Sequence, residues 1–230
     1  MSRERREDVP PLNAATLIIV RDGVEVLMGI RHSSHVFMPN KYVFPGGRLD
    51  KEDHRAHRPV PLHSSVQAKL EKRADAELAA PLAMAAVRET FEETGLALGV
   101  AGSIDRSSLE SAGESWAAFF GLGLVPALDQ LRFLARAVTP PGGPRRFDSR
   151  FFMTDSRHMH GELRSNGELL DLRWVPIKES FDLDLPHITR HVLKLLQMRL
   201  AASTGPGELK PDLPVPLVHW VGDEVVVEDL

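Results

Sequence analysis

The segment Arg88-Glu89-Thr90-Phe91-Glu92-Glu93-Thr94-Gly95 constrains the fold more than any other part of this 230-residue chain. On a helix wheel with Arg88 at the origin, Glu92, Glu89 and Glu93 fall at roughly 40°, 100° and 140°. Ala80, Ala83, Met84, Val87, Phe91 and Thr94 fall between roughly 220° and 320°. One face must therefore bury, while the other carries three carboxylates and a guanidinium. The pattern predicts a helix over 82–94, stopped by Gly95 as helices often are.

Three carboxylates this close repel one another and bind protons more tightly. A hard divalent cation removes the conflict. Mg²⁺ prefers carboxylate oxygens, keeps several waters and shares its shell with substrate phosphates. Arg88 stands one turn from Glu92 and can pair with it. Upstream, Phe44-Pro45-Gly46-Gly47 offers a turn that permits close backbone approach and a carbonyl for a metal. The alternative reading of the same residues is a solvated acidic helix face.

The rest of the chain predicts alternating strands and helices, a layered α/β domain. Residues 15–20 and 24–28 form a hairpin signal around Arg21-Asp22-Gly23. Residues 31–47 read as a loop and 54–63 as a surface loop. Ser64 and Gln67 fit a capping box ahead of an amphipathic helix over 65–79, marked by Val66, Leu70, Ala74 and Leu78. Further strands are expected over 96–100, 131–138, 147–154 and 169–175. A glycine-interrupted helical stretch covers 105–130, a rigid Pro/Gly turn 139–144, and a helix after Pro186 covers 188–202. The chain closes on a hairpin signal, 217–220 and 225–227, around Gly222-Asp223. The expected organisation is an N-terminal tail (1–11), one domain (12–203, with an insertion over 54–80) and a C-terminal extension (204–230).

The absence of cysteine excludes disulfides, thiolate catalysis and Cys-based zinc sites. A net charge of −4 gives no basic footprint for nucleic acid. Without a long apolar run or a signal-peptide pattern, the expectation is a soluble cytoplasmic protein with no membrane partner. His187 and His191 lie one turn apart but lack the Glu of a metalloprotease motif. His158-Met159-His160 reads as loop surface, and Trp116, Trp174 and Trp220 read as core or interface. Arg145, Arg146 and Arg150 can hold phosphates or pair with acids such as Asp148.

Arg-Glu-Thr-Phe-Glu-Glu-Thr-Gly-Leu over 88–96 resembles the core of the Nudix box, the signature of the Nudix hydrolase superfamily. The family's box opens on a Gly with an acidic residue six positions on, matched by Gly47 and Asp53, the latter Asp rather than Glu. From there to Arg88 the chain carries 27 more residues than the usual box, where the interval is eight positions. An interrupted box, together with residues 43–50, 138–140, 145–152, 171–175 and 185–190, resembles the branch related to the peroxisomal coenzyme A diphosphatase and its bacterial relatives. The resemblance covers most of 13–200. It implies an α/β/α sandwich with a mixed sheet and a helical insertion in the box.

The resemblance further implies metal ligation by Glu89, Glu93 and the Gly46 carbonyl. Glu92 would be a further ligand or a base acting through water, and Arg88 would orient the carboxylates. Mg²⁺ or Mn²⁺ is the implied cofactor. A later acidic residue often assists in the family, with Glu168 as candidate and Glu162 behind it. Arg31, Arg146 and Arg150 are candidates for substrate phosphates. In the coenzyme A motif ahead of the Gly-Gly turn, Arg31 and Phe44 keep the spacing. His32, Val36 and Asn40 depart from it.

The expected activity is a metal-dependent pyrophosphohydrolase cutting a nucleoside diphosphate linked to another moiety, coenzyme A and its esters included. A nucleoside triphosphate pool cleaner and a non-catalytic nucleotide-binding module are the alternatives. Glu89, Glu92 and Glu93 speak against the non-catalytic one. The 27-residue insertion is too short for its own core. Its apolar residues must bury against the domain or a second copy in a homodimer, and from there it would cap the substrate cleft.

Overall fold

The first strand, β1 (Leu12–Arg21), is a continuous β-branched and aliphatic run because it is covered on both faces. Ala15, Leu17 and Ile19 point into one core, and Ile18 and Val20 into the other. The computed structural model describes residues 9–34, 38–142, 145–203, 214–222 and 224–230. Most of the expected tail, Val36, the end of the Pro/Gly turn, 204–213 and Asp223 lie outside the described residues.

The remaining strands are β2 (Glu25–Arg31), β3 (Tyr42–Val43), β4 (Gly46–Arg48), β5 (Ala97–Ala101), β6 (Leu124–Pro126), β7 (Arg132–Val138), β8 (Phe147–Asp155), β9 (Met159–His160), β10 (Leu169–Pro176), β11 (Pro216–Val221) and β12 (Glu224–Asp229). The helices are α1 (Lys51–Arg55), α2 (Ser64–Leu70), α3 (Ala79–Thr94), α4 (Arg106–Ser111), α5 (Glu114–Phe120) and α6 (His187–Ala201). Among the described residues the main sheet runs β10-β2-β1-β8-β7-β11-β12, with β3 beside β2 and β4 beside β1. Pairs β1–β8 and β7–β11 are parallel and the others antiparallel, so the sheet is mixed, as expected. A smaller sheet runs β6-β5-β9. Helices α2, α3 and α5 bury Val66, Leu82, Val87 and Trp116 on one face of the main sheet. Helix α6 buries Val192, Leu193 and Leu196 on the other, which completes the α/β/α sandwich. No helix among the described residues is long and apolar enough to cross a membrane.

One departure from plain strand pairing makes room for a site. β8 pairs with β1 from Leu12 to Val20. Along the other edge, β2 pairs with β1 only at Val20 and Arg21, while β4 takes over at Ala14 to Thr16. The Pro45 carbonyl accepts the Leu17 N–H at 3.0 Å between the two. Strands β3 and β4 thus lie within the segment expected as loop. Strands of two or three residues leave no periodic signature in a sequence.

Other elements need correction. The helix expected over 65–79 ends at Leu70, because Arg73 takes a left-handed φ of 54° and Asp75 starts a new turn by accepting the Glu77 N–H. The cap is His63, whose ring accepts the Ser65 N–H; Gln67 bonds Glu71 instead of reaching back. His160 and Met159 pair with β5 rather than lying in a loop. The stretch 105–130 contains β6 as well as two helices.

The insertion buries Val66 and Leu70 in the α3-side core, as expected. Its Arg73 carbonyl accepts from Arg136 of β7, and the Arg73 guanidinium pairs with Glu228 of β12. It therefore packs under the sheet and against the C-terminal hairpin. Leu70→Ser is expected to cost about 3 kcal/mol of stability, since it removes a buried side chain and buries a hydroxyl. Denaturant unfolding measures this.

Candidate active site

Helix α3 is alanine-rich and buried over most of its circumference, more than an amphipathic wheel requires, because α1, α2 and α5 cover a second side. Gly95 closes it with φ 73° and donates to the Phe91 carbonyl at 2.9 Å. Its last two turns present Arg88, Glu89, Glu92 and Glu93 beside β4.

Arg88 organises the cluster. Its Nη1 donates to Glu89 at 3.0 Å and to Glu92 at 3.2 Å, so the expected pairing is present. Its Nε and Nη2 donate to the two carboxylate oxygens of Asp53 at 2.8 and 3.0 Å, and Nη2 also to the Arg48 carbonyl at 2.9 Å. Burial opposes the Arg88 charge, but Asp53, Glu89 and Glu92 together hold its proton more tightly than an ordinary guanidinium does. Asp53 is itself fully buried and meets Arg88 across 35 positions of chain. The insertion leaves and rejoins the chain without separating the two halves of the motif.

The Gly-Gly turn is required by geometry. Gly46 has φ 153°, and a Cβ there would overlap the β1 backbone at Ala15 and Thr16. A Cβ on Gly47 would overlap the Glu89 carboxylate. In return the Gly46 N–H donates to Glu93 Oε2 at 2.8 Å. Burial pushes Glu89 up to about 7 against the pull of Arg88, with Glu92 adding repulsion. Burial pushes Glu93 up to about 8, and Glu89 and Glu168 raise it further while the Gly46 N–H and Arg31 oppose.

These groups border a cavity of about 400 Å³. Glu89, Glu92, Glu93, Gly46, Gly47 and Glu168 line it, together with Arg31, Arg145 and the apolar side chains of Val43, Phe44, Phe147, Phe151 and Ile188. Of the residues expected from sequence, Glu89, Glu92, Glu93, Gly46, Glu168 and Arg31 come together here. Arg88 stands just behind, bonded to two of the carboxylates. Glu162 is not among the lining residues.

Arg146 and Arg150 are not brought to the cavity. Phe147, Ser149 and Phe151 face it, so the alternate positions of β8 face away. Arg150 is buried, bonded to Asn13 and the Asp148 carbonyl at 2.8 Å each and paired with Asp148 at 3.0 Å. Burial lowers it to about 10 despite that pairing. Arg146 bonds the Thr139 and Val9 carbonyls. Arg145, one residue before, lines the cavity instead. The insertion contributes no described residue to the lining, so it does not cap the cleft.

Among the described residues no three acidic or histidine side chains form a ready-made cage for a metal ion. Two buried carboxylates with raised proton affinity, a third beside them and the Gly46 carbonyl, which accepts from Arg31 at 3.5 Å, suit a hard cation that keeps waters and completes its shell from substrate phosphates. They do not suit an ion that needs an all-protein shell.

No family model matches the chain. A putative Nudix hydrolase of Caenorhabditis elegans is 28% identical over 178 residues, which is 74% of this chain and 53% of that protein. The chain thus spans about half the length of this curated relative. A MutT protein from Bacillus halodurans is 14% identical, with a TM-score of 0.47 over 95% of this chain and 97% of that one. A crystal structure of a Nudix hydrolase from Alicyclobacillus acidocaldarius is 30% identical with a TM-score of 0.58, covering 86% of this chain and 99% of that one. With nearly all of a solved Nudix hydrolase matched in sequence and fold, and the box residues gathered at one cavity, the chain belongs to the Nudix hydrolases.

Proposed function

We propose that the protein is a pyrophosphohydrolase that cuts the diphosphate of a nucleoside diphosphate linked to another moiety, with Mg²⁺ or Mn²⁺ as cofactor. One observation carries the reading. Four carboxylates (Glu89, Glu92, Glu93 and Glu168) and the Gly46 backbone share a cavity with three guanidinium groups, Arg31, Arg48 and Arg145. Anionic substrate and cationic cofactor can both be neutralised there. The volume lies within the range of small-molecule sites, about 300–1,000 Å³.

Glu89, Glu93 and the Gly46 carbonyl would hold the metal. When bound, it supplies Lewis acidity toward the phosphate oxygens. Arg88 holds Glu89 and Glu92 in place. Glu92 is the less buried of these two and takes the proton of the attacking water at its carboxylate. Glu168, whose charge is felt at Glu93, stands on a separate loop and adds a carboxylate from another side. Arg145 and Arg31 steady the diphosphate, and Phe44, Phe147 and Phe151 exclude water around it.

The test is a substrate panel of dinucleotides, nucleoside triphosphates, and coenzyme A with its esters, assayed with Mg²⁺. Coenzyme A belongs in it because Arg31 and Phe44, which keep the motif spacing, both line the cavity. Release of a nucleoside monophosphate and a phosphorylated remainder is expected. Turnover confined to triphosphates would assign the pool-cleaning role, and no turnover of any member would overturn the reading. Arg145→Ala is expected to raise KM about tenfold at unchanged melting temperature, the loss of roughly one charge-assisted phosphate contact. Arg150→Ala is expected to do the opposite, lowering the melting temperature because Asp148 loses a buried partner.

A further inference from the structure

The carboxylate-bearing turn of α3 is held at its back by a residue far from the box. Trp116 of α5 is fully buried, and its Nε1 donates to Asp53 Oδ1 at 3.2 Å. The same oxygen accepts Arg88 Nε at 2.8 Å, and Asp53 Oδ2 accepts Arg88 Nη2 at 3.0 Å and the Asp50 N–H at 2.8 Å. The far side of Arg88 then reaches Glu89 and Glu92. A continuous line of donors and acceptors runs from the indole through Asp53 and Arg88 to two carboxylates of the cavity.

We infer that Trp116 is a positioning residue for the active-site carboxylates, acting through Asp53 and Arg88. Asp53 sits on α1, a helix of five residues whose end already belongs to the insertion, and within that element its side chain is held by the capping box with Asp50. A carboxylate carries about four acceptor sites, and one bonded only to Arg88 and its own cap could still swing. The indole closes the remaining direction with a donor that has no acceptor capacity and cannot reorient freely. Trp116 is locked in turn, stacked on Phe120 at 5.7 Å and edge-on to Phe119 at 5.4 Å, while Phe119 meets Phe91 of α3 at 5.5 Å. Helix α5 therefore touches α3 twice, once through rings and once through the polar line. The segment between β5 and β6 thereby supports a motif it does not belong to. A buried Trp in an aromatic cluster fills space, but space filling alone does not require its single N–H to meet the one carboxylate that anchors Arg88.

The inference rests on the reading of Glu89 and Glu92 as working carboxylates, so its test includes a readout that needs no substrate. The chain has three tryptophans, and the ¹H–¹⁵N spectrum of the metal-free protein should show three indole signals. The one lost in Trp116→Phe should be the most slowly exchanging, and Asp53→Asn should move it more than the other two. An unmoved Trp116 signal would overturn the bond itself, whatever the substrate proves to be. In turnover, Trp116→Phe is expected to lower kcat about tenfold or more at nearly constant KM, in the range of lost supporting contacts around a metal site. Phe119→Leu disturbs the same rings without touching the polar line, and should lose stability while keeping wild-type kcat. Equal kcat in the two variants would make Trp116 a space filler and overturn the positioning role.

Discussion

Glu93→Gln is expected to leave the protein folded and to lower turnover by about a thousandfold, because the metal whose positive charge would stabilise the reacting phosphate loses a ligand. The amide oxygen can still accept the Gly46 N–H, so the turn that carries β4 keeps its bond. No apolar contact is lost, because the carboxylate faces the cavity rather than the core. Only the negative charge disappears. That charge is unfavourable in the metal-free protein, where burial, Glu89 and Glu168 all oppose it. The variant should therefore melt no lower than wild type, and higher at neutral pH. Steady-state turnover with Mg²⁺ and a thermal melt measure the two quantities. Wild-type turnover in the folded variant would remove Glu93 from the site.

The metal-free protein is expected to lose a few kcal/mol of stability as pH rises from about 5 to about 8. Glu89 and Glu93 titrate from a reference near 4.5 when unfolded but at about 7 and about 8 when folded. Across that window the folded form binds more protons than the unfolded form, so stability falls as pH rises. The contribution is complete below the unfolded value and lost as pH passes the folded values. A divalent cation binds the ionised cluster in the folded form alone, and stabilises it by mass action. Added Mg²⁺ should therefore raise the melting temperature strongly near pH 8 and little near pH 5, where bound protons already neutralise the cluster. Melts of stripped protein across this range, with and without Mg²⁺, give the answer. A metal-free melting temperature independent of pH would mean that the two carboxylates are not buried as described.

The carboxylate face was legible because helical periodicity is local. Arg88, Glu89, Glu92 and Glu93 lie within six residues, and their angular positions follow from the helix alone. The central strands and the closing hairpin were legible for the same reason, since β-branched runs and turn residues speak for themselves. What failed depends on register or on distant partners. Arg146 and Arg150 were phosphate candidates, but which face of β8 meets the cavity is set by its pairing with β1. Shifting a strand by one residue exchanges its faces, so Arg145 takes the place that spacing offered to its neighbours. Asp53 was visible as the acidic residue of the interrupted motif, but its bond to Trp116 joins residues 63 positions apart. No spacing rule reports that. The end of α2 turns on one left-handed residue, Arg73, which is not a glycine and carries no turn signature.

The closure of Asp53 onto Arg88 bears on how this active site assembles during folding. Joining ends about 35 rather than about 8 residues apart costs only about 1.3 kcal/mol more chain entropy, since the cost grows with the logarithm of length. Burial of Val66 and Leu70 offsets that, at about 1.5–3 kcal/mol for each side chain. Burial thus outweighs the added closure entropy, but the detour makes the arginine–aspartate contact a long-range one that must wait for the loop to close. Shortening the stretch between Leu70 and Asp75 should then quicken refolding while leaving the finished site, and the chemistry it performs, as they are.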